Sequence, residues 1–212
     1  MKNRPFRLSI PYVAALAGVA GYFFHSALMD GGRVTLLALF CIFLCLLFAL
    51  AAAALEKQSA FAEVFAASKT EAVFSLAGAV LLGAGCVMGF SGTMFQTFLA
   101  LGGLLGAAGW AAAAVLRAHG RKPQPFWMVF AVLFFVAKLF YDFRHWMVDP
   151  AILDYAFSLF ALICFMIACY QAAAFCCDHG SRRQLEFFAL AGILFGATAR
   201  AGMGTAEALI YS

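Results

Sequence analysis

The run from Val34 to Leu55 limits the fold of this chain more than any other stretch, because its 22 residues include no charged side chain. At about 1.5 Å per helical residue, a run of this length crosses the ~30 Å hydrocarbon core of a bilayer. Of the 212 residues, 66% are hydrophobic and 11% are charged. Since soluble domains carry about 25% charged residues, the sequence predicts a polytopic membrane protein.

Six other apolar stretches have the length of membrane helices. The predicted spans are residues 8–29, 34–55, 72–90, 93–116, 126–147, 154–177 and 185–210. We therefore predict an all-α fold: one integral membrane domain over residues 1–212, built as a polytopic bundle of seven transmembrane helices with short loops. The first span follows basic residues, as in a signal peptide, but Asp30-Gly-Gly-Arg33 comes after it instead of a small-residue cleavage site. We expect this span to be retained.

The linker between the second and third spans, residues 56–71, mixes charged and apolar residues. Phe61, Val64 and Phe65 have helical spacing, which favours a short amphipathic helix along the membrane interface. A helical extension of the neighbouring spans explains the same spacing. Both interpretations remain open at the level of the sequence.

The distribution of lysine and arginine predicts the orientation of the chain. Loops on one side hold Lys2, Arg4, Arg7, Lys57, Lys69, Arg117, Arg121, Lys122, Arg182 and Arg183. Loops on the other side hold Arg33 and Arg144. Because cytoplasmic loops carry the excess of basic residues, we expect a cytoplasmic N-terminus and an extracytoplasmic C-terminus. The expected location is the cell membrane, as a multi-pass protein, and specifically a bacterial cytoplasmic membrane.

The fifth span ends in the chain's densest cluster of charge, residues 138–150. Steps of three and four residues place Lys138, Asp142, His145 and Asp149 on one face of a helix. Pro150 is expected to end or kink that helix. Ionisable residues at membrane depth are costly, so their presence indicates a functional site.

Polar residues of several spans gather in the predicted outer half of the membrane. Counted from the cytoplasmic ends, His25, Lys138, Asp142 and Arg200 lie roughly 18–24 Å along their helices. The candidate substrate-binding or ion-binding residues are His25, Lys138, Asp142, His145, Asp154, Tyr155, Arg200 and Glu207. They either line an outward-facing polar pocket, centred on Lys138, Asp142, His145 and Arg200, or pair with one another to hold helices together.

Glycine spacing gives two further predictions. Gly85 and Gly89, Gly102 and Gly106, and Gly192 and Gly196 form GxxxG pairs, which are typical of closely packed membrane helices. Gly89-Phe-Ser-Gly92 also resembles the GxSG serine motif of rhomboid proteases, over four residues. The catalytic histidine of that family has only His145 as an approximate counterpart here, so we interpret the motif as a tight turn between two helices.

No cofactor or metal is expected, because the seven cysteines lie mostly inside spans and the four histidines form no haem or metal pattern. The first functional hypothesis is a small transporter, a permease or a substrate-binding membrane subunit. A non-catalytic partner or sensor subunit of a membrane complex is the alternative, and an intramembrane enzyme comes third. We expect no enzymatic activity. The expected partners are the lipid bilayer, a small-molecule or ion substrate and a membrane protein, and not nucleic acid.

Overall fold

The computed structural model describes residues 4–28, 34–55, 57–65, 69–90, 92–146, 152–202 and 209–210, and these ranges contain helices and turns but no β-strand. The helices are α1 (Arg4–Leu28), α2 (Val34–Ala53), α3 (Phe61–Val64), α4 (Lys69–Met88), α5 (Met94–Ala118), α6 (Pro125–Trp146), α7 (Ile152–Cys176) and α8 (Arg182–Ala199). Every helix except α3 has at least 18 residues. The predicted all-α class with seven long helices is confirmed.

Five of the long helices, α2, α4, α5, α6 and α7, are long and apolar enough to cross a membrane. In α1 the apolar stretch is shorter, Tyr12–Ala27. The first turns of α8 carry Arg182, Arg183 and Glu186, and the rest of α8 packs between α7 and α1. These properties identify an integral, multi-pass membrane protein whose apolar helices contact lipid.

The seventh predicted span, residues 185–210, extends beyond the last residue of the helix that the structure describes. Helix α8 ends at Ala199, and Arg200–Gly202 forms one 3-10 turn. Glycine is a poor helix former, and Gly202 and Gly204 both follow this point. Further along, Ile210 packs against the core formed by α4, α5, α6 and α7. Glu207 lies outside the described residues.

The long helices form an arc. Each of α4, α5, α6, α7, α8 and α1 packs on the next in that order, and α2 packs against α8 and α1. Over the described residues, α1 and α4, at the two ends of the arc, do not pack extensively on each other. Among the described helices, no extensively packed pair closes the arc between α1 and α4.

Glycines of α5 set its close contact with α6. An added Cβ at Gly106 would lie 3.1 Å from the Cα of Ala131, and one at Gly109 would clash with the carbonyl oxygen of Trp127. A Cβ at Gly102 would meet no heavy atom within 4 Å. The predicted Gly102–Gly106 pair is thus wrong at Gly102, because the face towards α6 carries Gly106 and Gly109 instead.

The connection between α4 and α5 and the linker that contains α3 bear on two predictions. The turn between α4 and α5 is tight, and Gly92 has a φ of 81°, a backbone conformation that glycine accepts readily. Helix α3 is separate from its neighbours, because residues 57–60 and Phe65 are not helical. The prediction of a distinct short helix is confirmed, and the alternative of a helical extension is wrong.

Candidate functional site

A cavity of about 690 Å³ occupies the interior of the arc, and we call it the large cavity. Its walls come from α1, α3, α4, α5, α6, α7 and α8, and they are mainly apolar. The side chains that line it include Val19, Phe61, Val64, Phe65, Glu71, Gly78, Trp110, Arg117, Phe165, Glu186, Arg200 and Ile210. This volume falls within the ~300–1,000 Å³ of typical small-molecule sites.

Ionisable side chains lie at both ends of the large cavity. Arg117, Glu71 and Glu186 lie where α5 ends and where α4 and α8 begin, whereas Arg200 follows the last residue of α8. Glu186 and Arg200 are separated by roughly 20 Å along the helix axis. The cavity therefore extends through much of the ~30 Å thickness of a hydrocarbon core.

Residues 57–65, which we call the strap, cover the Arg117 end of the large cavity. The backbone N–H of Phe61 donates to Asp178 Oδ1 at 2.9 Å, and Lys122 Nζ donates to Asp178 Oδ2. These two donors hold the pKa of the Asp178 carboxyl below its usual range, the Lys122 hydrogen bond contributing most. The backbone N–H of Arg182 donates to Gln58 O at 3.2 Å. The strap is thus tied directly to the segment between α7 and α8, and through Asp178 to the loop between α5 and α6.

Arg117 is held at this end by two contacts. Its Nη2 lies 3.3 Å from Glu71 Oε2, and its guanidinium carbon lies 4.4 Å from the centre of the Phe65 ring. The Nε atom of Arg117 is buried and has no hydrogen-bond partner within the described ranges. The Phe65 ring also packs edge-on against Phe175, with 5.5 Å between centroids.

A second, small cavity of about 100 Å³ lies between α4, α5 and α6. Lys138, Tyr141 and Gln96 supply its polar groups, and Ile210 borders both cavities. Gln96 Nε2 donates to the hydroxyl oxygen of Tyr141 at 3.0 Å. Since one water occupies about 30 Å³ in the liquid, this space suits a few waters or a small ion.

The structure brings Lys138 and Asp142 into direct contact. Lys138 Nζ donates to Asp142 Oδ1 at 2.5 Å and to Oδ2 at 2.7 Å. Both side chains are buried, with 9% and 2% of their surface exposed. The predicted i, i+4 geometry therefore produces an ion pair within one helix.

Of the other candidates in the charged stretch, the structure describes His145, which contacts Tyr141. His145 is exposed, and its ring stacks on Tyr141 with 6.2 Å between centroids. Helix α6 ends at Trp146, and Asp149 lies outside the described residues, as does Pro150.

His25 belongs to the contact between α1 and α8. It is buried, its Nδ1 lies 2.9 Å from Thr198 O, and its ring lies 5.5 Å from that of Phe157. His25 Nε2 is buried and has no hydrogen-bond partner in the part of the chain that the structure describes.

The remaining candidates lie on α7 and beyond α8. Tyr155 is half-buried, and its carbonyl oxygen accepts a hydrogen bond from Ser158 Oγ at 2.7 Å. Asp154 lies in α7, but its side chain, like Glu207, is outside the described part. Arg200 borders the large cavity and Lys138 the small one. The described candidates are thus distributed over several places.

Sequence analysis missed Arg117, Glu71 and Glu186 as site residues. It assigned the first two to a loop and a linker, whereas α5 extends to Ala118 and α4 begins at Lys69. The helical spacing of Phe61, Val64 and Phe65 was the available signal, because these side chains line the large cavity beside Arg117.

Within the described ranges, no group of three or more His, Cys, Asp or Glu side chains is placed to hold a metal ion. The fold and the cavities define the class of protein as an α-helical multi-pass membrane protein with an intramembrane cavity. Comparison with protein families, with curated proteins and with solved structures finds no match.

Proposed function

We propose that the protein is a small transporter or substrate-binding membrane protein that takes an amphiphilic molecule from the bilayer into the large cavity. The observation that carries this proposal is the cavity itself, with about 690 Å³ of mainly apolar space and ionisable groups at its two ends. Apolar walls favour a hydrocarbon chain, and the few polar groups fix the orientation of the ligand.

The gap between α1 and α4 supports entry from the lipid. Val19 of α1 lines the cavity and is 51% exposed, so no other described helix covers this part of the wall. Gly78 of α4 also lines the cavity, and a Cβ built on it would meet no heavy atom within 4 Å. A chain-bearing ligand could therefore enter sideways without leaving an apolar environment.

The outward-facing polar pocket proposed from the sequence corresponds most closely to the small cavity beside Lys138. The volume of the small cavity suits water or a small ion, so we assign the amphiphile to the large cavity. We propose that the small cavity holds water or an ion whose binding is coupled to that of the amphiphile. We propose binding and transport without catalysis, in a bacterial cell membrane. Recovery of the bound molecule chemically unchanged tests the absence of catalysis.

The test compares two glycine substitutions. Gly78→Leu should fill part of the large cavity, whereas Gly102→Leu places the same side chain where it borders neither cavity. Both replace a helical glycine with open space beside it, so both gain about 0.8–1 kcal/mol of helix propensity. Amphiphiles that co-purify with the protein in mild detergent are quantified by mass spectrometry.

We expect the wild type and Gly102→Leu to retain the same amphiphile, and Gly78→Leu to retain about tenfold less, a loss of about 1.4 kcal/mol in binding. Equal retention by all three proteins would show that the large cavity is not the binding site.

A second candidate function is a non-catalytic partner or sensor subunit of a membrane complex. The Lys138–Asp142 contact favours it, because a buried pair that neutralises itself serves helix packing without any ligand. The mass of the complex extracted from native membranes tests this candidate. A complex containing a second protein would support it, and a protein that migrates alone would exclude it.

A further inference from the structure

Arg117 is a cation in an apolar wall, and its surroundings leave hydrogen-bonding capacity unused. Among its five N–H donors, Nη2 lies 3.3 Å from Glu71, and the buried Nε has no partner among the residues the structure describes. Glu71 is 60% exposed, so its carboxylate is well solvated and can move away. A buried donor without an acceptor is costly, and an acceptor supplied by a ligand removes that cost.

Two other cations lie at the same end, and each has an ion-pair partner. Lys122 is held by Asp178, and Arg182 donates to Gln58 and lies 3.7 Å from Glu186. Neither Lys122 nor Arg182 lines the large cavity, whereas Arg117 does. Arg117 therefore lies on the wall of the large cavity and has N–H donors available to a ligand. It lies at the end of the bundle where the basic loops meet.

We propose that Arg117 binds the anionic group of a single-chain amphiphile, a carboxylate or a phosphate, while the chain lies in the large cavity. This inference rests on the proposed function and names its ligand class. A guanidinium matches both anions, because its parallel N–H groups fit two oxygens at once. The Phe65 ring covers the guanidinium face at 4.4 Å, which leaves the N–H edge for the anion. The ligand would displace Glu71 from that edge.

The experiment measures ligand-induced thermal stabilisation of the full chain in detergent with three probes of one chain length. Oleate supplies a carboxylate, oleoyl lysophosphatidate supplies a phosphate, and oleyl alcohol supplies neither charge. The variants are Arg117→Gln, Glu71→Gln and Arg200→Gln. Arg121→Gln, which removes an exposed charge from the same end, is the matched control.

We expect at least one anionic probe to bind the wild type about tenfold more tightly than the alcohol. Arg117→Gln should abolish that preference, and Arg121→Gln and Arg200→Gln should keep it. Glu71→Gln should tighten anion binding several-fold, because it removes the competing carboxylate. The carboxylate and the phosphate probes separate a free fatty acid from a phospholipid-like ligand.

An anion preference that survives Arg117→Gln, or that disappears in Arg200→Gln instead, overturns the assignment. If Arg117→Gln does not fold, Glu71→Gln decides, and unchanged or weaker anion binding in that variant rejects the proposal. Alcohol binding as tight as anion binding rejects this inference and leaves the proposed function in place. Failure of every probe to bind, the alcohol included, rejects the proposed function too.

Discussion

Lys138 and Asp142 show how two charges can be placed inside an apolar helix. The carboxylate accepts from one ammonium at 2.5 and 2.7 Å, so the charges neutralise each other within a single turn of α6. Removing one partner from such a pair leaves a buried charge without compensation, which typically costs about 3–5 kcal/mol.

The first prediction concerns this pair. Lys138→Met and Asp142→Asn should each lower the melting temperature strongly, and the double variant should recover most of the loss, because both charges of the ion pair are then removed together. Thermal unfolding in detergent measures the three variants against the wild type, and amphiphile retention is measured in parallel. We expect the double variant to keep the amphiphile.

Stability close to wild type in all three variants, together with loss of the amphiphile, would contradict this prediction. That result would place the ligand site at Lys138 and Asp142, as the hypothesis of an outward-facing polar pocket requires.

The sequence predicted the residues of this pair but not the surroundings of the other candidates. Spacing within one helix fixes Lys138 beside Asp142. The contact of His25 with Thr198 depends on how α1 lies against α8, which no local pattern in either helix encodes. Arg117 contacts Phe65 of the strap and Glu71 of α4. Its surroundings could therefore not be derived from the α5 sequence.

At the scale of elements, the contact between α5 and α6 depends on a row of glycines. Gly106 and Gly109 bring the two backbones together, with 3.1 Å between a Cβ added at Gly106 and the Ala131 Cα. Small residues allow this approach where no hydrophobic effect drives helices together. The helices themselves were predictable from composition, whereas the glycines that face a neighbour depend on helix rotation.

The second prediction separates these glycines from Gly102. Gly109→Ala should destabilise the protein by about 1–3 kcal/mol, because its methyl group would clash with the backbone of Trp127, which cannot rotate away. Gly102→Ala should be neutral or stabilising by up to about 1 kcal/mol, since its methyl group meets open space. Chemical or thermal unfolding in detergent measures both. Equal effects of the two substitutions would show that the packing of α5 on α6 is not as described.

At the scale of the whole molecule, the contacts between loops agree with the distribution of charge. Lys122, Asp178 and the strap meet at one end of the bundle, and Arg183 Nε donates to Leu55 O at the same end at 2.9 Å. Three segments predicted to be cytoplasmic from their lysine and arginine content are thus neighbours in space. The number of long helices was predictable as well, because charged segments interrupt most of the apolar runs and the Gly89–Gly92 turn interrupts the uncharged run that contains α4 and α5. The large cavity was not predictable, because it results from the arc that leaves α1 and α4 apart.

The third prediction concerns orientation in the membrane. Ten of the basic residues belong to segments predicted on one side and two to segments predicted on the other, so the segment 117–125 should be cytoplasmic and the end of the chain extracytoplasmic. Reporter domains that are active on only one side of the membrane, inserted in that segment or fused after Ser212, measure the two locations. Opposite locations, with the segment inside, are expected. If both reporters are active on the same side, the chain crosses the membrane an even number of times between them, and α6, α7 and α8 cannot all be spans.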